Sequence, residues 1–183
     1  MISTHVKHGT STTRDHKRES MMDYESAVAD FLTVNRSTFL APQYALMDAG
    51  HEWSCPDFVA IRPKHKECFV IEVSAHSRPK KLLLKVQDRE NQWLSKLKEQ
   101  LKSQDICDST WTFAVLIFIR SDCISWFASN LQNAEDVYLW PLEGTLTPWC
   151  WPKEVWQQAF SFKQRGYDLN PGRDKVGHRP REI

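Results

Sequence analysis

Several features are missing from this sequence, and each absence removes a class of protein. No apolar run approaches the ~18 residues of a membrane-crossing helix, so no membrane partner is expected. The five cysteines, Cys55, Cys68, Cys107, Cys123 and Cys150, are odd in number, and no two stand at a C-x-x-C spacing. That pattern predicts small buried thiols in a reducing compartment rather than a disulfide framework. The seven histidines are scattered, with no H-E-x-x-H and no Cys/His knuckle, so no structural zinc is predicted. The first 20 residues are polar and lack the apolar run of a secretion signal, which points to an intracellular protein, cytoplasmic or, in a eukaryote, nuclear. There is no internal repeat, and 24 basic against 23 acidic residues leave a net charge of only +1.

What is present is an ordinary globular composition: 183 residues, 41% hydrophobic and 26% charged, enough for one domain with short tails. The charge is unevenly placed. Residues 1–19 carry +2 and residues 163–183 carry +3, which leaves about −4 for the middle. Basic ends suit contact with a phosphate backbone, and equally they serve as solubilising tails. The expected organisation is a flexible basic arm over 1–19, a core over 20–140, a Trp/Pro-rich extension over 141–162 and a basic tail over 163–183.

Hydrophobic periodicity outlines the core. Ser20, followed by Asp23, marks a helix start. Tyr24, Ala27, Val28, Phe31 and Leu32 then form one apolar stripe at helical spacing. Residues 38–49 read as an irregular strand broken by Pro42, and residues 50–55 as a turn. Residues 56–61 and 68–73 read as two strands of a hairpin joined by a charged turn. Residues 80–102 form a long amphipathic segment. The apolar run 111–119 reads as a central strand covered on both faces, followed by a helix or strand over 124–131 and a short strand over 137–140. Pro152 is placed to start a short helix over 153–160. A helix between the hairpin and the buried strand implies a crossover in a mixed sheet, hence an α/β class with helices on both faces.

One residue resists a packing explanation. Glu72 interrupts the otherwise apolar CFVIEV, and a carboxylate there is costly unless it is paired, protonated or bound to a metal. Asp57 directly follows Pro56 at the start of the neighbouring strand, so a hairpin brings the two acids to nearby ends on one side. Two such carboxylates repel each other, and a hard divalent cation resolves the conflict. Glu25 lies at i−3 and i−7 from Val28 and Leu32, at the edge of the buried stripe, where it can point toward the sheet. Taken singly, each has a blander reading: a solvated helix glutamate, a turn aspartate after proline, and a glutamate paired with a buried base.

This order of elements resembles the PD-(D/E)XK, or restriction-endonuclease-like, nuclease superfamily. The matching residues are Glu25, Pro56-Asp57 and Glu72-Val73-Ser74, with fourteen residues between Asp57 and Glu72, and the likeness spans roughly residues 20–120. It implies a restriction-endonuclease-like mixed β-sheet core flanked by helices. It also implies Mg2+ (or Mn2+) at Asp57, Glu72 and Val73, support from Glu25, and hydrolysis of DNA phosphodiester bonds. Ser74 departs from the pattern, because the family usually has lysine there. Lys80, Lys81 and Lys85 on the following helix are candidates to replace it, Lys85 best placed as the catalytic one. Lys80, Lys81 and Gln87 would then contact nucleic acid. A looser likeness, carried by Tyr24-Glu25-Ser26 and Pro56-Asp57-Phe58, is to the endonuclease subunit of heteromeric transposases. It implies partner subunits or a homo-oligomer and a role in DNA transposition or recombination.

Two other readings stand beside the nuclease. Ser74 and the Trp-rich C-terminal part motivate a catalytically inactive nuclease-fold protein that binds nucleic acid or protein. A metal-free α/β interaction module would make Glu72 an ion-paired core residue. His76, just after the motif, is either a bland loop residue or a contact to substrate or metal. Of eight tryptophans, Trp93 and Trp111 fit the core, while Trp140, Trp149, Trp151 and Trp156 gather late in the chain. That gathering reads as a satellite core ahead of a subunit interface or a base-stacking surface.

Overall fold

The computed structural model describes residues 16–34, 36–132, 134–146 and 148, with side chains from Tyr24 onward. Helix α1 (His16–Thr33) begins ahead of the expected Ser20. His-Lys-Arg-Glu contains no helix breaker, so nothing stops the helix at the serine, which lies inside it. The long segment after the hairpin is two helices, α2 (Lys80–Gln87) and α3 (Ser95–Ser103), joined by a π-helical turn at Glu90–Leu94. The segment left open between helix and strand is a helix, α4 (Ser121–Ser129), and a 3-10 turn at Leu142–Leu146 starts the Pro/Trp-rich part.

Among the described residues seven strands form where the sequence suggested five. They are β1 (Phe39–Pro42), β2 (Leu46–Asp48), β3 (His51–Ser54), β4 (Phe58–Arg62), β5 (Glu67–Ser74), β6 (Thr112–Ile119) and β7 (Val137–Pro141). The stretch expected as one irregular strand is β1 and β2. It divides after Pro42, where Gln43 takes a φ of 45°. Residues 50–55, expected as a turn, are mostly β3, paired antiparallel with β2. Only Ala49 and Gly50 turn, with φ of 47° and 84°. Both central residues at positive φ is the requirement of a tight hairpin turn, usually met by Asn-Gly. Alanine in the first position hid the signal.

The main sheet runs β1-β4-β5-β6-β7. The pairs β1/β4 and β4/β5 are antiparallel, and β5/β6 and β6/β7 are parallel. It is the mixed sheet flanked by helices that the sequence led us to expect, with α2 and α3 in the crossover between β5 and β6. Side chains alternate across β5. Cys68 and Val70 join Leu82, Val86, Trp93, Leu97 and Phe127 on one face, while Phe69 and Ile71 join Val28, Phe31 and Leu32 of α1 on the other. Trp93 is fully buried and Trp111 packs against the same cluster. Trp140 lies against Phe31 at 5.2 Å between ring centroids. The four described cysteines are free: Cys68 and Cys123 are buried, Cys107 half-buried and Cys55 exposed. Among the described residues no helix is long and apolar enough to cross a membrane. Cys150, Trp149, Trp151, Trp156, the expected helix over 153–160 and both chain ends lie outside the described residues.

The hairpin turn supplies a test. Ala49→Asn places a residue that tolerates positive φ in an exposed turn, and is expected to stabilise the protein by about 0.5–1 kcal/mol. The urea midpoint should rise with an unchanged slope. A lower midpoint would mean that the Ala49-Gly50 turn is not of this type.

Candidate active site

The site forms where β4 begins and β5 ends. Phe58 pairs with Ile71, so continuing that register sets Asp57 opposite Glu72. Alternation from Val59 turns Asp57 to the face that Glu72 shares with Cys68 and Val70. Asp57 is held from two sides. Its backbone carbonyl accepts from the Gln43 N–H at 2.8 Å, and its carboxylate accepts from the Val73 N–H at 2.7 Å. Strand β4 has not yet begun at this level, so the carboxylate stands in for the missing ladder carbonyl. The N–H and C=O of a strand residue face the same neighbour. The Val73 carbonyl is therefore turned toward the same space as the Asp57 carboxylate.

Glu72 lies in β5, the middle strand, and is 9% exposed. Among the described residues its Oε1 is buried with no hydrogen-bond partner. Burial, reinforced by the Asp57 and Glu25 carboxylates and opposed by Lys85, pushes its pKa up to about 7. Burial also raises Asp57, against the Val73 N–H and the Lys85 charge. Glu25 is raised by burial and then by Asp57. The three acids thus share one electrostatic field. Among the described residues no group of three or more His, Cys, Asp or Glu side chains is arranged to hold a metal. Topology gives the reason. Glu25 rides on α1, which packs on the opposite face of the sheet, and it couples to the other two acids through its field.

Ser74 follows Glu72 on the same face of β5. It is buried, and its hydroxyl accepts from the His76 N–H at 3.4 Å. Lys85 is the cation that lowers both Asp57 and Glu72. Lys85 is exposed, and its Nζ lies 5.9 Å from the ring centroid of buried Trp93. Lys81 stands exposed one turn earlier, beside exposed Lys80. Gln87 points away to α4, where its side-chain amide donates to the Asn130 carbonyl at 2.9 Å. His76 is exposed.

Sequence reading overlooked the β2–β3 hairpin as a wall of this site. Burial comes first in raising the Cys55 thiol, followed by the carboxylates of Glu52, Asp57 and Glu72, so the end of β3 lies beside the acids. The Ala49-Gly50 turn was the one local signal for it.

No family model matches the chain, and no curated protein matches it. Among solved structures, the small subunit of a heterodimeric restriction endonuclease is similar, with 16% identity over 81% of this chain and 80% of that one, at a TM-score of 0.34. So distant a likeness does not carry the chemistry of the site, which rests on the residues themselves.

The raised Glu72 pKa has a consequence for stability. Its folded value of about 7 exceeds the ordinary 4.5, so between those values the folded chain keeps a proton that the unfolded chain has released. Stability should therefore fall as pH rises through that window and stay low above it. Glu72→Gln is expected to flatten this dependence and to stabilise the metal-free protein above pH ~7 by up to about 3 kcal/mol. Urea denaturation in chelator at pH ~5 and ~8 reads it, and identical slopes in both proteins would assign the titration to another group.

Proposed function

We propose that this chain is a metal-dependent endonuclease that hydrolyses DNA phosphodiester bonds as one subunit of a larger DNA-processing assembly. The observation that supports it most is the buried, unpartnered Glu72 Oε1, on a carboxyl that couples electrostatically to Asp57. Ionising Glu72 beside Asp57 leaves buried negative charge that a cation offsets. Two carboxylates and a peptide carbonyl are hard oxygen donors suited to Mg2+ or Mn2+, which commonly keep their remaining positions for water and phosphate. The donor set fits such an ion, with Asp57, Glu72 and the Val73 carbonyl as the residues that would hold it. Such an ion, when bound, supplies a lowered water pKa and positive charge for the phosphate.

The chain's own groups do the rest. The Val73 N–H fixes the Asp57 carboxylate, so it is already oriented for binding. Lys85, on the face that Asp57 and Glu72 share, takes the charge role that Ser74 cannot, offsetting negative charge on the phosphate and orienting the attacking water. Glu25 adds negative potential and favours the cation. Lys80 and Lys81 extend the positive surface of α2 toward a phosphate backbone. The absence of an obvious sequence-reading element in the core favours a partner subunit for target choice.

One observation favours a second reading, a catalytically inactive protein of the same fold that binds nucleic acid or protein. Ser74, in the motif's lysine position, is buried and engaged by the His76 N–H. The two are separated by cleavage of supercoiled and branched DNA with Mg2+ or Mn2+. Asp57→Ala and Glu72→Ala should abolish cutting, and Lys85→Ala should slow it by about 10²–10³-fold. A folded wild-type protein that neither cuts DNA nor gains thermal stability with either metal would leave the binding role.

A further inference from the structure

Trp53 is 51% exposed, an unusual setting for the largest apolar side chain in a fold that buries Trp93 and Trp140. It is also fixed. Its Nε1 donates to the Asn91 carbonyl in the π-helical turn at 3.2 Å, which anchors one edge of the ring. The hairpin carrying it is anchored as well. The Met47 N–H donates to the Gln100 side chain at 3.1 Å, and Lys96 pairs with Asp48 at 2.7 Å. The indole is therefore a preorganised surface, with little side-chain entropy left to lose on binding.

Its position ties it to the acids. Only Ser54, Cys55 and Pro56 separate Trp53 from Asp57, so the two are at most about 14 Å apart along the chain. The Cys55 thiol between them feels both Glu52 of the hairpin and the carboxylates of Asp57 and Glu72. On the helical side, Asn91 is two residues from Trp93, over which Lys85 sits. The nearby segment 78–87 carries Arg78, Lys80, Lys81 and Lys85 with no acidic residue. An aromatic plane and a row of cations beside a pair of carboxylates is complementary to a nucleobase and its flanking phosphates.

We propose that Trp53 stacks on an unpaired nucleobase next to the phosphate held at the carboxylates, so the substrate is DNA with a single-stranded element there. This rests on the nuclease reading for the position of the phosphate, but the stacking is measured without cleavage. The probe is a labelled single-stranded oligonucleotide, followed by fluorescence anisotropy in chelator, with the matching duplex as control. Trp53→Leu should weaken single-strand binding by about 5- to 100-fold and leave duplex binding unchanged, and Trp53→Phe should retain most of the affinity. Both variants lose the bond to Asn91, so equal losses in the two would overturn stacking and make Trp53 a strut. Wild-type affinity in Trp53→Leu would overturn it as well. Selective loss in Trp53→Leu from a wild-type protein that binds but never cuts would uphold stacking while removing the nuclease reading.

Discussion

A carboxylate in the middle strand of a sheet has few ways to remain there. Glu72 is largely buried, its Oε1 has no hydrogen-bond partner among the described residues, and its neighbour across the pair of strands is another acid. Without a cation the site resolves this by holding a proton up to neutral pH. With a hard divalent ion both carboxylates could ionise together. Much of the local architecture depends on this constraint. Asp57 is gripped by the Val73 N–H and the Gln43 N–H, and Lys85 is the cation set against both acids.

The sheet topology determines how these groups meet. An antiparallel hairpin places Asp57 opposite Glu72, and the parallel crossover brings α2 back over the face they share. Helix α1 covers the other face, so Glu25 acts on the pair through its field. The site is therefore two carboxylates and a peptide carbonyl with outer charges on either side, rather than a ring of three acids. Cys55, just after the β2–β3 hairpin, couples to the same carboxylates.

Ser74 marks the point of greatest tension between motif and structure. A lysine there would place an ammonium two residues from Glu72 on the same face. The serine instead turns its hydroxyl to the His76 N–H and leaves the charge to Lys85, on a different element. Moving a cation from strand to helix preserves its sign near the phosphate while changing its reach and flexibility. The Lys85 Nζ lies 5.9 Å from the Trp93 ring centroid, beside the core face of α2.

The sequence by itself determined the α/β class, the strands β4, β5, β6 and β7 of the main sheet and the suspicion attached to Glu72, because apolar runs and stripes follow from burial and an acid inside CFVIEV breaks the pattern. It also singled out Asp57, since Pro-Asp before an apolar strand is a local arrangement. It did not reveal β3, whose turn uses alanine where asparagine is usual, or the π-helical break between α2 and α3, which leaves the apolar spacing nearly intact. Tertiary structure alone decided that Glu25 rides on the helix packed against the other face of the sheet, that Lys85 couples to both Asp57 and Glu72, that Gln87 turns to Asn130, and that the Trp53 indole is held on the Asn91 carbonyl. Each of those depends on how elements distant in sequence pack, and side-chain periodicity carries no information about which face of which partner it will meet.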